Sequence, residues 1–502
     1  AQYRQLHPNL PFAQEAATTD PRARRAADLA VLREHLAPID HALIDLGTSG
    51  TGRLRLPSAG WRAGERFTHY ANAVQAFDWS AFYAEAHGHA GDEIINDLVL
   101  PGMANVHSHA FQRAMAGLAE WDAGGSDNFW SWREAMYRFA ERLDPAAQLA
   151  IARFLYIEML KAGYTSVGEF HYLHNRPGGA AYAPATAMAE AIAQAAQESG
   201  IALTLMPTLY VTGGADGRAL SERQKRFGKT VDELLKLREG MRDKAGVTQL
   251  GLALHSLRAV PPSLMREAID GVDTDTPIHL HAAEQTGEVD EAVAKFGKRP
   301  IDFLLTEFPV DQRWCFVHAT HMDAQETRAL AASGAVAGLC PTTEGNLGDG
   351  IFPLPDYLAV GGRIAIGGDS HIAVDPAEEL KALEYSQRLL HRRRNVAASA
   401  EAPHTAARLW AEAARNGAQV LGLNAGEIAV GKRADLVVVD TGHVSLAGRD
   451  GAQALDSYVF VTGSRAVRDV IIAGAWVVKE RHHAAQERAA GAYVDSVRRI
   501  LS

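Results

Sequence analysis

Residues 98–109, LVLPGMANVHSH, carry the pattern that decides how this chain folds. An apolar run ends in two histidines, His107 and His109, that stand one residue apart. Side chains two positions apart on a strand point to the same face, so both imidazoles can bind one cation. The pair can also lie by chance on a solvated strand edge. Only the rest of the chain distinguishes these two interpretations.

Seven further apolar runs follow, and most are separated by segments with helical spacing such as residues 145–163. They are TSVGEFHY (165–172), ALTLMPTLY (202–210), QLGLALHSL (249–257), TPIHLHAAE (276–284), RWCFVHATH (313–321), AVAGLCPTT (335–343) and RIAIGGDSH (363–371). Eight strand-like runs that alternate with helices predict an α/β fold, a (β/α)8 TIM-like barrel. A doubly wound open sheet is the alternative, but it does not explain why polar residues gather where so many runs end.

The segments that flank the barrel predict a small β-sandwich-like module built from the two ends of the chain. Residues 426–440, GEIAVGKRADLVVVD, and residues 457–480 contain short strands with glycine-containing turns. Its other strands are expected upstream of the barrel, where the alternation is weak. The predicted divisions are an N-terminal extension (1–44), part of the β-module (45–98), the barrel (99–422), the rest of the β-module (423–482) and a C-terminal helix (483–502).

Charge and composition argue against several classes of protein. The 502 residues carry a formal net charge of −10 and no long basic stretch, which argues against nucleic acid as a partner. No run of eighteen apolar residues occurs, so no membrane span is expected. The first residues, AQYRQLHPNLPFAQ, lack the apolar core of a secretory signal. The only cysteines, Cys315 and Cys340, lie in apolar runs, which predicts a cytoplasmic protein without disulfides.

The ends of the predicted strands carry the candidate site, because the carboxyl ends of barrel strands converge on one mouth. The potential metal ligands at these ends are His107, His109, His281 and Asp369. Three histidines, one carboxylate and a water suit Zn²⁺, and such a water delivers hydroxide near neutral pH. Glu284 and His318 stand at neighbouring strand ends and can move protons.

Each of these residues also has a structural interpretation. A single histidine at a strand end is more often hydrogen bonded within the fold than bound to a metal. Asp369 can cap the helix that follows it, and Glu284 can begin a helix and favour its dipole. Any one of them alone has a prior of about one in ten as a ligand or catalyst. Their joint placement at the same end of successive runs favours the metal site.

The motifs PGMANVHSH, HLHAAE, VHATH and IGGDSH, followed by GKRADLVVVD, resemble the amidohydrolase superfamily over about residues 98–480. The superfamily pattern is HxH after strand one, histidines after strands five and six, and aspartate after strand eight. Bimetallic members bridge two ions with a lysine from strand four, where this chain has LALHSLRAV without a lysine. The resemblance therefore implies the mononuclear, deaminase-like branch, with one zinc ion per chain, although iron can occupy similar sites.

A narrower resemblance rests on HSHAFQRAMAGLAE, FWSWREAMYR, GEFHYLH, LHSLRAV, VDQRWCFVHATH and TEGNLGDGIFP. These segments are similar to the N-formimino-L-glutamate iminohydrolases of a histidine-degradation route, which release ammonia and N-formyl-L-glutamate. The resemblance implies zinc ligation by His107, His109, His281 and Asp369, and catalysis by Glu284, His318 and Asp369. It implies substrate contacts by Gln112, Arg133, Tyr172, His255 and Arg258.

The residues themselves agree with a small substrate that carries two carboxylates. Arg133 and Arg258 supply guanidinium groups, whose planar fork suits carboxylates. Either arginine can instead pair with a protein acid such as Glu134 or Glu169.

Two other functions stay open, and both concern the same site. A nucleobase or nucleoside deaminase of the same branch needs aromatic and amide groups around a flat ring. A metal-free scaffold protein would lack at least one ligand, and none is missing here. Beyond the substrate, the expected partner is a second copy of the chain, because symmetric dimers are the commonest oligomers and relatives of this kind are often dimeric.

Overall fold

The structure is a computed structural model that describes residues 41–46, 52–56, 66–69, 93–121 and 128–502. Most of the extension predicted over residues 1–44, and most of the module segment predicted over 45–98, lie outside these residues. Within the described residues the strands are β1 (His41–Leu46), β2 (Gly52–Leu56), β3 (Arg66–His69), β4 (Glu93–Ile95), β5 (Leu98–Pro101), β6 (Met103–Ser108), β7 (Tyr164–His171), β8 (Ala202–Leu209), β9 (Val247–Leu250), β10 (Leu252–Leu254), β11 (Ile278–Ala282), β12 (Trp314–His318), β13 (Val336–Leu339), β14 (Arg363–Ile366), β15 (Leu436–Val439), β16 (Val467–Ile472) and β17 (Ala475–Val478).

The helices connect the strands in regular alternation across the middle of the chain. Within the described residues the α-helices are α1 (Phe129–Ala140), α2 (Pro145–Ala162), α3 (Ala187–Ser199), α4 (Val231–Gly240), α5 (Pro262–Asp270), α6 (Thr286–Phe296), α7 (Pro300–Glu307), α8 (Ala324–Ser333), α9 (Pro341–Leu347), α10 (Leu354–Ala359), α11 (Pro376–His391), α12 (Thr405–Val420), α13 (Gly451–Ser457) and α14 (Gln486–Leu501). None of them combines the length and the apolar character that a transmembrane span needs.

Strands β6 to β14 form one closed parallel barrel. β14 pairs with β6, and β10 pairs with both β8 and β11, which closes the sheet. β9 and β10 both lie beside β8, because a single barrel strand is interrupted at Gly251. The nine segments therefore occupy eight positions, and the predicted (β/α)8 barrel is confirmed.

The local sequence explains where α2, the helix that directly precedes β7, begins and ends. Asp144 caps α2 by accepting a hydrogen bond from Ala147 N at 2.8 Å, and Pro145 occupies the first helical position. The helix ends at Gly163, whose φ of +106° is a left-handed conformation that glycine adopts without strain. Residues 145–163, predicted to be helical, therefore form α2 and its cap.

Two four-stranded sheets accompany the barrel. One contains β1 to β4, and the other has the order β17-β16-β15-β5. The two sheets meet through a small apolar cluster in which Ile95 of β4 joins Val99 of β5 and Leu436 of β15. The two chain segments that flank the barrel therefore combine in a β-sandwich-like module, as predicted from the sequence.

The first apolar run, residues 98–109, serves both parts of the fold. Its first half is β5, which pairs with β15, and its second half is the barrel strand β6. Gly102 separates them, and a Cβ atom at this position would lie 2.2 Å from Thr165 Oγ1. Only glycine fits so close a contact. The domain boundary predicted between residues 98 and 99 falls inside β5.

Candidate metal centre and substrate pocket

Four polar side chains from the ends of three strands, β6, β11 and β14, converge at the carboxyl mouth of the barrel. Asp369 Oδ1 lies 3.4 Å from both His107 Nε2 and His109 Nε2. His281 Nε2 lies 3.1 Å from His107 Nε2. All four side chains are buried. Two groups of three donors that share His107 can hold a metal ion, because the donor atoms of each group lie within 4.8 Å of one another. One group is His107, His109 and Asp369, and the other is His107, His281 and His318.

Hydrogen bonds to backbone carbonyl oxygens fix the tautomer and the orientation of two of these histidine rings. His109 Nδ1 donates to the carbonyl oxygen of Phe170 at 3.0 Å, and His281 Nδ1 donates to that of His255 at 2.9 Å. Because Nδ1 carries the proton in both rings, each Nε2 presents a lone pair to the centre of the cluster. A metal cation binds where the lone pairs of several nitrogen or oxygen atoms point to one centre, and here such atoms lie about 3 Å apart. The donor set therefore fits a metal ion.

The protonation state of the histidines supports the same conclusion. Burial lowers the pKa of His109 to about 3, with a further contribution from His107. Burial also places the pKa of His107 and of His281 well below the ordinary value. These rings are neutral near pH 7, and neutral imidazole is the form that binds metals.

Beside the donors lies a pair of titratable groups. His318 Nε2 is 3.8 Å from Glu284 Oε1 and 3.9 Å from Asp369 Oδ2, and His318 Nδ1 donates to Glu344 Oε1 at 3.2 Å. Burial acts to lower the pKa of His318, but these carboxylates outweigh it and raise the pKa to about 10. Burial raises the pKa of Glu284, against the opposing effects of His318 and Arg258. A carboxyl of raised pKa can act as a general acid.

The backbone at this mouth is strained at several residues other than glycine. His318, Asp369 and His371 have φ values of +69°, +46° and +59°, in the left-handed region that L-residues rarely adopt. Conformations of this kind cost about 1–3 kcal/mol each and are found mostly at functional sites. The fold holds His318 and Asp369 in the orientation that brings their side chains to the cluster.

An open cavity of about 790 Å³ lies over the donors and is rich in aromatic rings. Arg258 enters it from the loop after β10, and its Nη2 lies 3.3 Å from Glu284 Oε2. Its Nε and Nη1 are buried without a hydrogen-bond partner among the described residues, as is Nε of Arg133. Gln112 Nε2 donates to Tyr172 Oη at 2.9 Å, and both residues also line the cavity. The cavity therefore contains guanidinium N–H groups without a hydrogen-bond partner among the described residues, close to the predicted metal ligands.

Sequence comparison places the chain among known proteins. A model of the amidohydrolase family matches residues 98–477. Formimidoylglutamate deiminase from Pseudomonas aeruginosa is 47% identical over 451 residues, which cover 89% of this chain and 98% of that protein. The chain belongs to the amidohydrolase family.

Two further similarities extend the comparison. The crystal structure of an amidohydrolase from Brucella melitensis matches with a TM-score of 0.76 and 40% identity, covering 82% of this chain and 94% of the other. A 5-methylthioadenosine/S-adenosylhomocysteine deaminase from Natronomonas pharaonis is 29% identical over 78% of this chain and 84% of that protein. The names of the two curated relatives describe enzymes that act on substrates of different shape.

The amidohydrolase fold brings every site residue predicted from the sequence into one place. His107 lies beneath the cavity, in contact with His281. The others line it: His109, Gln112, Arg133, Tyr172, His255, Arg258, His281, Glu284, His318 and Asp369. Asp369 does not cap the following helix, because Asp375 caps α11, whereas Glu284 stands directly before Gln285, the N-cap residue of α6. Their catalytic and ligand roles stay predictions.

The acid partners suggested for the arginines are wrong. Glu134 lies 3.5 Å from Arg223, and Glu169 accepts hydrogen bonds below the metal donors. The acid that pairs with Arg258 is Glu284, itself a predicted catalytic residue.

Sequence reasoning also missed several residues of the site. Glu344 contacts His318, and it lies in the segment TEGNLGDGIFP, from which no site residue was predicted. Trp130 lies against Arg133, with which it shares a helix face. The spacing of these two residues in FWSWREAMYR was the signal that could have indicated the contact.

A buried network beneath the metal donors holds the HSH segment in place. Ser108 Oγ donates to Glu169 Oε2 at 2.6 Å and accepts from His371 Nε2 at 2.9 Å. Glu169 also accepts from Ala110 N at 2.8 Å and from Tyr156 Oη at 3.2 Å. Because Ser108 stands between His107 and His109, and His371 is two residues beyond Asp369, the network links three of the predicted ligands.

Replacing Glu169 with leucine should therefore destabilise the fold and weaken metal binding. Three buried donors would lose their acceptor, at a cost of about 1–3 kcal/mol for each unsatisfied group. Chemical denaturation gives the change in the free energy of unfolding, and a zinc titration gives the affinity. Glu198→Leu is the matched control, because Glu198 pairs with Arg153 near the surface and should cost less than about 1 kcal/mol. Equal losses in the two variants would contradict the assignment.

Proposed function

We propose that this amidohydrolase hydrolyses N-formimino-L-glutamate to N-formyl-L-glutamate and ammonia with one zinc ion per chain. The observation that carries the proposal is the cavity itself, in which Arg133 and Arg258 offer free donors beside the metal ligands. A substrate with two carboxylates and one hydrolysable C–N group matches both features. The 47% identity to the deiminase from Pseudomonas aeruginosa supports the same substrate.

The imidazoles of His107, His109 and His281 and the carboxylate of Asp369 would hold the metal. Nitrogen donors with one carboxylate suit zinc, and iron accepts a similar set. When bound, such an ion supplies the Lewis acidity that makes water a nucleophile near neutral pH.

The chain's own groups then move the protons. Asp369 Oδ2 accepts a proton from the attacking water, and the charged His318 imidazole, 3.9 Å away, stabilises the negative charge that develops. Glu284, whose pKa is raised by burial, delivers a proton to the departing nitrogen. The C–N bond breaks as that nitrogen becomes ammonia, and the formyl C=O bond forms as the remaining hydroxyl proton passes to the Glu284 carboxylate. The two arginines hold the glutamate carboxylates while this happens, so the formimino carbon stays over the metal ligands.

The direct test of the substrate is ammonia release in a matched series. With N-formimino-L-glutamate we expect one ammonia and one N-formyl-L-glutamate per turnover. The alternative, a nucleobase or nucleoside deaminase, predicts faster release from an aminopurine nucleoside. The aromatic rings of the cavity suit a flat base, but Trp130 is already stacked on Arg133 at 4.5 Å. Preference for the aminopurine would overturn the proposed substrate.

Arg258→Met should lower kcat/KM for formimidoylglutamate by the equivalent of about 1.5–3 kcal/mol, the value of a hydrogen bond to a charged group. The same variant should affect an uncharged formamidine much less. Any loss of activity that Arg258→Met shows with the uncharged formamidine measures how far Glu284 depends on its ion pair with Arg258.

The control for this comparison is Arg223→Met, which removes an arginine paired with Glu134 and Glu141 at the surface. It should leave both substrates unaffected. Equal losses on the charged and the uncharged compound in Arg258→Met would show that Arg258 has only a structural role.

A homodimer and a cytoplasmic location remain predictions for this amidohydrolase. The two curated relatives described above are named as enzymes that act on small metabolites. Light scattering should give a mass twice that of one chain. The mass of a single chain across a wide concentration range would refute the dimer.

A further inference from the structure

The guanidinium groups in the cavity rest on aromatic faces. Arg133 Cζ lies 4.5 Å from the centre of the Trp130 ring and 5.5 Å from that of Tyr137. Arg258 Cζ lies 5.7 Å from the centres of both Trp130 and Phe129. Trp130 is therefore the aromatic residue that contacts both arginines within the described part of the chain.

The start of helix α1 explains how this arrangement forms. The Asn128 side chain accepts hydrogen bonds from Trp130 N at 2.9 Å and Ser131 N at 3.4 Å, which fixes the first turn. Positions 130, 133 and 137 then recur at helical spacing on one face, so indole, guanidinium and phenol form a stripe toward the cavity.

The stacking leaves the arginines' hydrogen-bond donors available. An aromatic face contacts the plane of a guanidinium group, whereas its N–H donors point outward within that plane. A protein carboxylate in the same place would occupy the donors and compete with an anionic ligand. Nε of Arg133 and Nε and Nη1 of Arg258 are buried without partners among the described residues, as this arrangement requires.

We propose that Trp130 is a positioning residue that holds Arg133 and Arg258 together for the two carboxylates of one dicarboxylate ligand. The inference rests on the proposed function, because it assigns the arginines to the substrate's carboxylates. Trp130 does not touch the reacting carbon in this account. Its effect is on ligand affinity and on the preference for dianions.

The experiment measures binding of glutarate, a dicarboxylate with no hydrolysable group, by calorimetry on the zinc-loaded protein. Trp130→Leu should weaken glutarate binding by about tenfold, the equivalent of two cation–π contacts. It should raise KM for formimidoylglutamate by a similar factor while kcat changes little. Trp130→Phe keeps an aromatic face and should restore most of the affinity.

Two controls separate this role from a general effect on the fold. Trp476→Leu removes a tryptophan stacked under Lys479 in the distant small sheet, and it should leave glutarate binding unchanged. In an Arg133→Met background, Trp130→Leu should lose much of its effect, because one of its two partners is gone. The melting temperature and zinc content of each variant show whether it has folded.

Several outcomes would overturn the proposal. Wild-type affinity for glutarate in Trp130→Leu would do so, as would an undiminished effect in the Arg133→Met background. A fall in kcat with unchanged KM would also overturn it. Failure of the wild-type protein both to bind glutarate and to turn over formimidoylglutamate is a different result, because it overturns the proposed function itself.

Discussion

His109→Ala is expected to lose the metal ion and, with it, all measurable turnover. His109 is one of the four proposed donors, and alanine has no side-chain atom that can bind a metal, so the His107, His109 and Asp369 group loses a member. Zinc content should fall from about one equivalent per chain to a small fraction of one. Metal analysis after gel filtration measures this loss directly.

The matched control is His404→Ala, since His404 pairs with Asp456 and does not line the cavity. This variant should keep its zinc and its activity. If His109→Ala retained a full equivalent of zinc, the interpretation of the HSH segment as a ligand pair would be wrong.

Glu284→Gln is expected to keep the metal and most of the substrate affinity while kcat falls by about 10²–10⁴-fold. Glutamine has the shape of glutamate but cannot carry the proton to the departing nitrogen. Because Glu284 lies 3.3 Å from Arg258, a modest rise in KM is also expected.

Glu291→Gln provides the comparison, because Glu291 also lines the cavity but belongs to helix α6 rather than to a strand end. It should change kcat far less than Glu284→Gln does. Near-normal turnover by Glu284→Gln would show that another group carries the proton.

The barrel could be predicted because its signal is repeated along the chain. Few folds contain apolar strands that alternate with helices at this spacing. The polar residues at the strand ends become neighbours only if the strands are parallel and form a closed barrel. His107 and Asp369 are 262 positions apart in the sequence, yet their side-chain atoms lie 3.4 Å apart because β6 and β14 are paired in the barrel.

What could not be predicted depends on contacts between loops and helices. Trp130 and Arg258 come from different segments, and nothing in either segment encodes the distance between them. Glu344 lies in α9, directly after β13, and contacts His318 at the end of the paired strand β12, a contact that neither segment shows by itself. The division of residues 98–109 into two strands depends on the contact between Gly102 and Thr165, which no local pattern shows.

The most direct test of the account is a zinc titration of metal-depleted protein with two readouts, bound zinc and ammonia released from N-formimino-L-glutamate. We expect ammonia release to rise in proportion to bound zinc and to saturate at about one equivalent per chain, with equal amounts of N-formyl-L-glutamate. Full turnover before any metal is added, or saturation only at two equivalents, would contradict it.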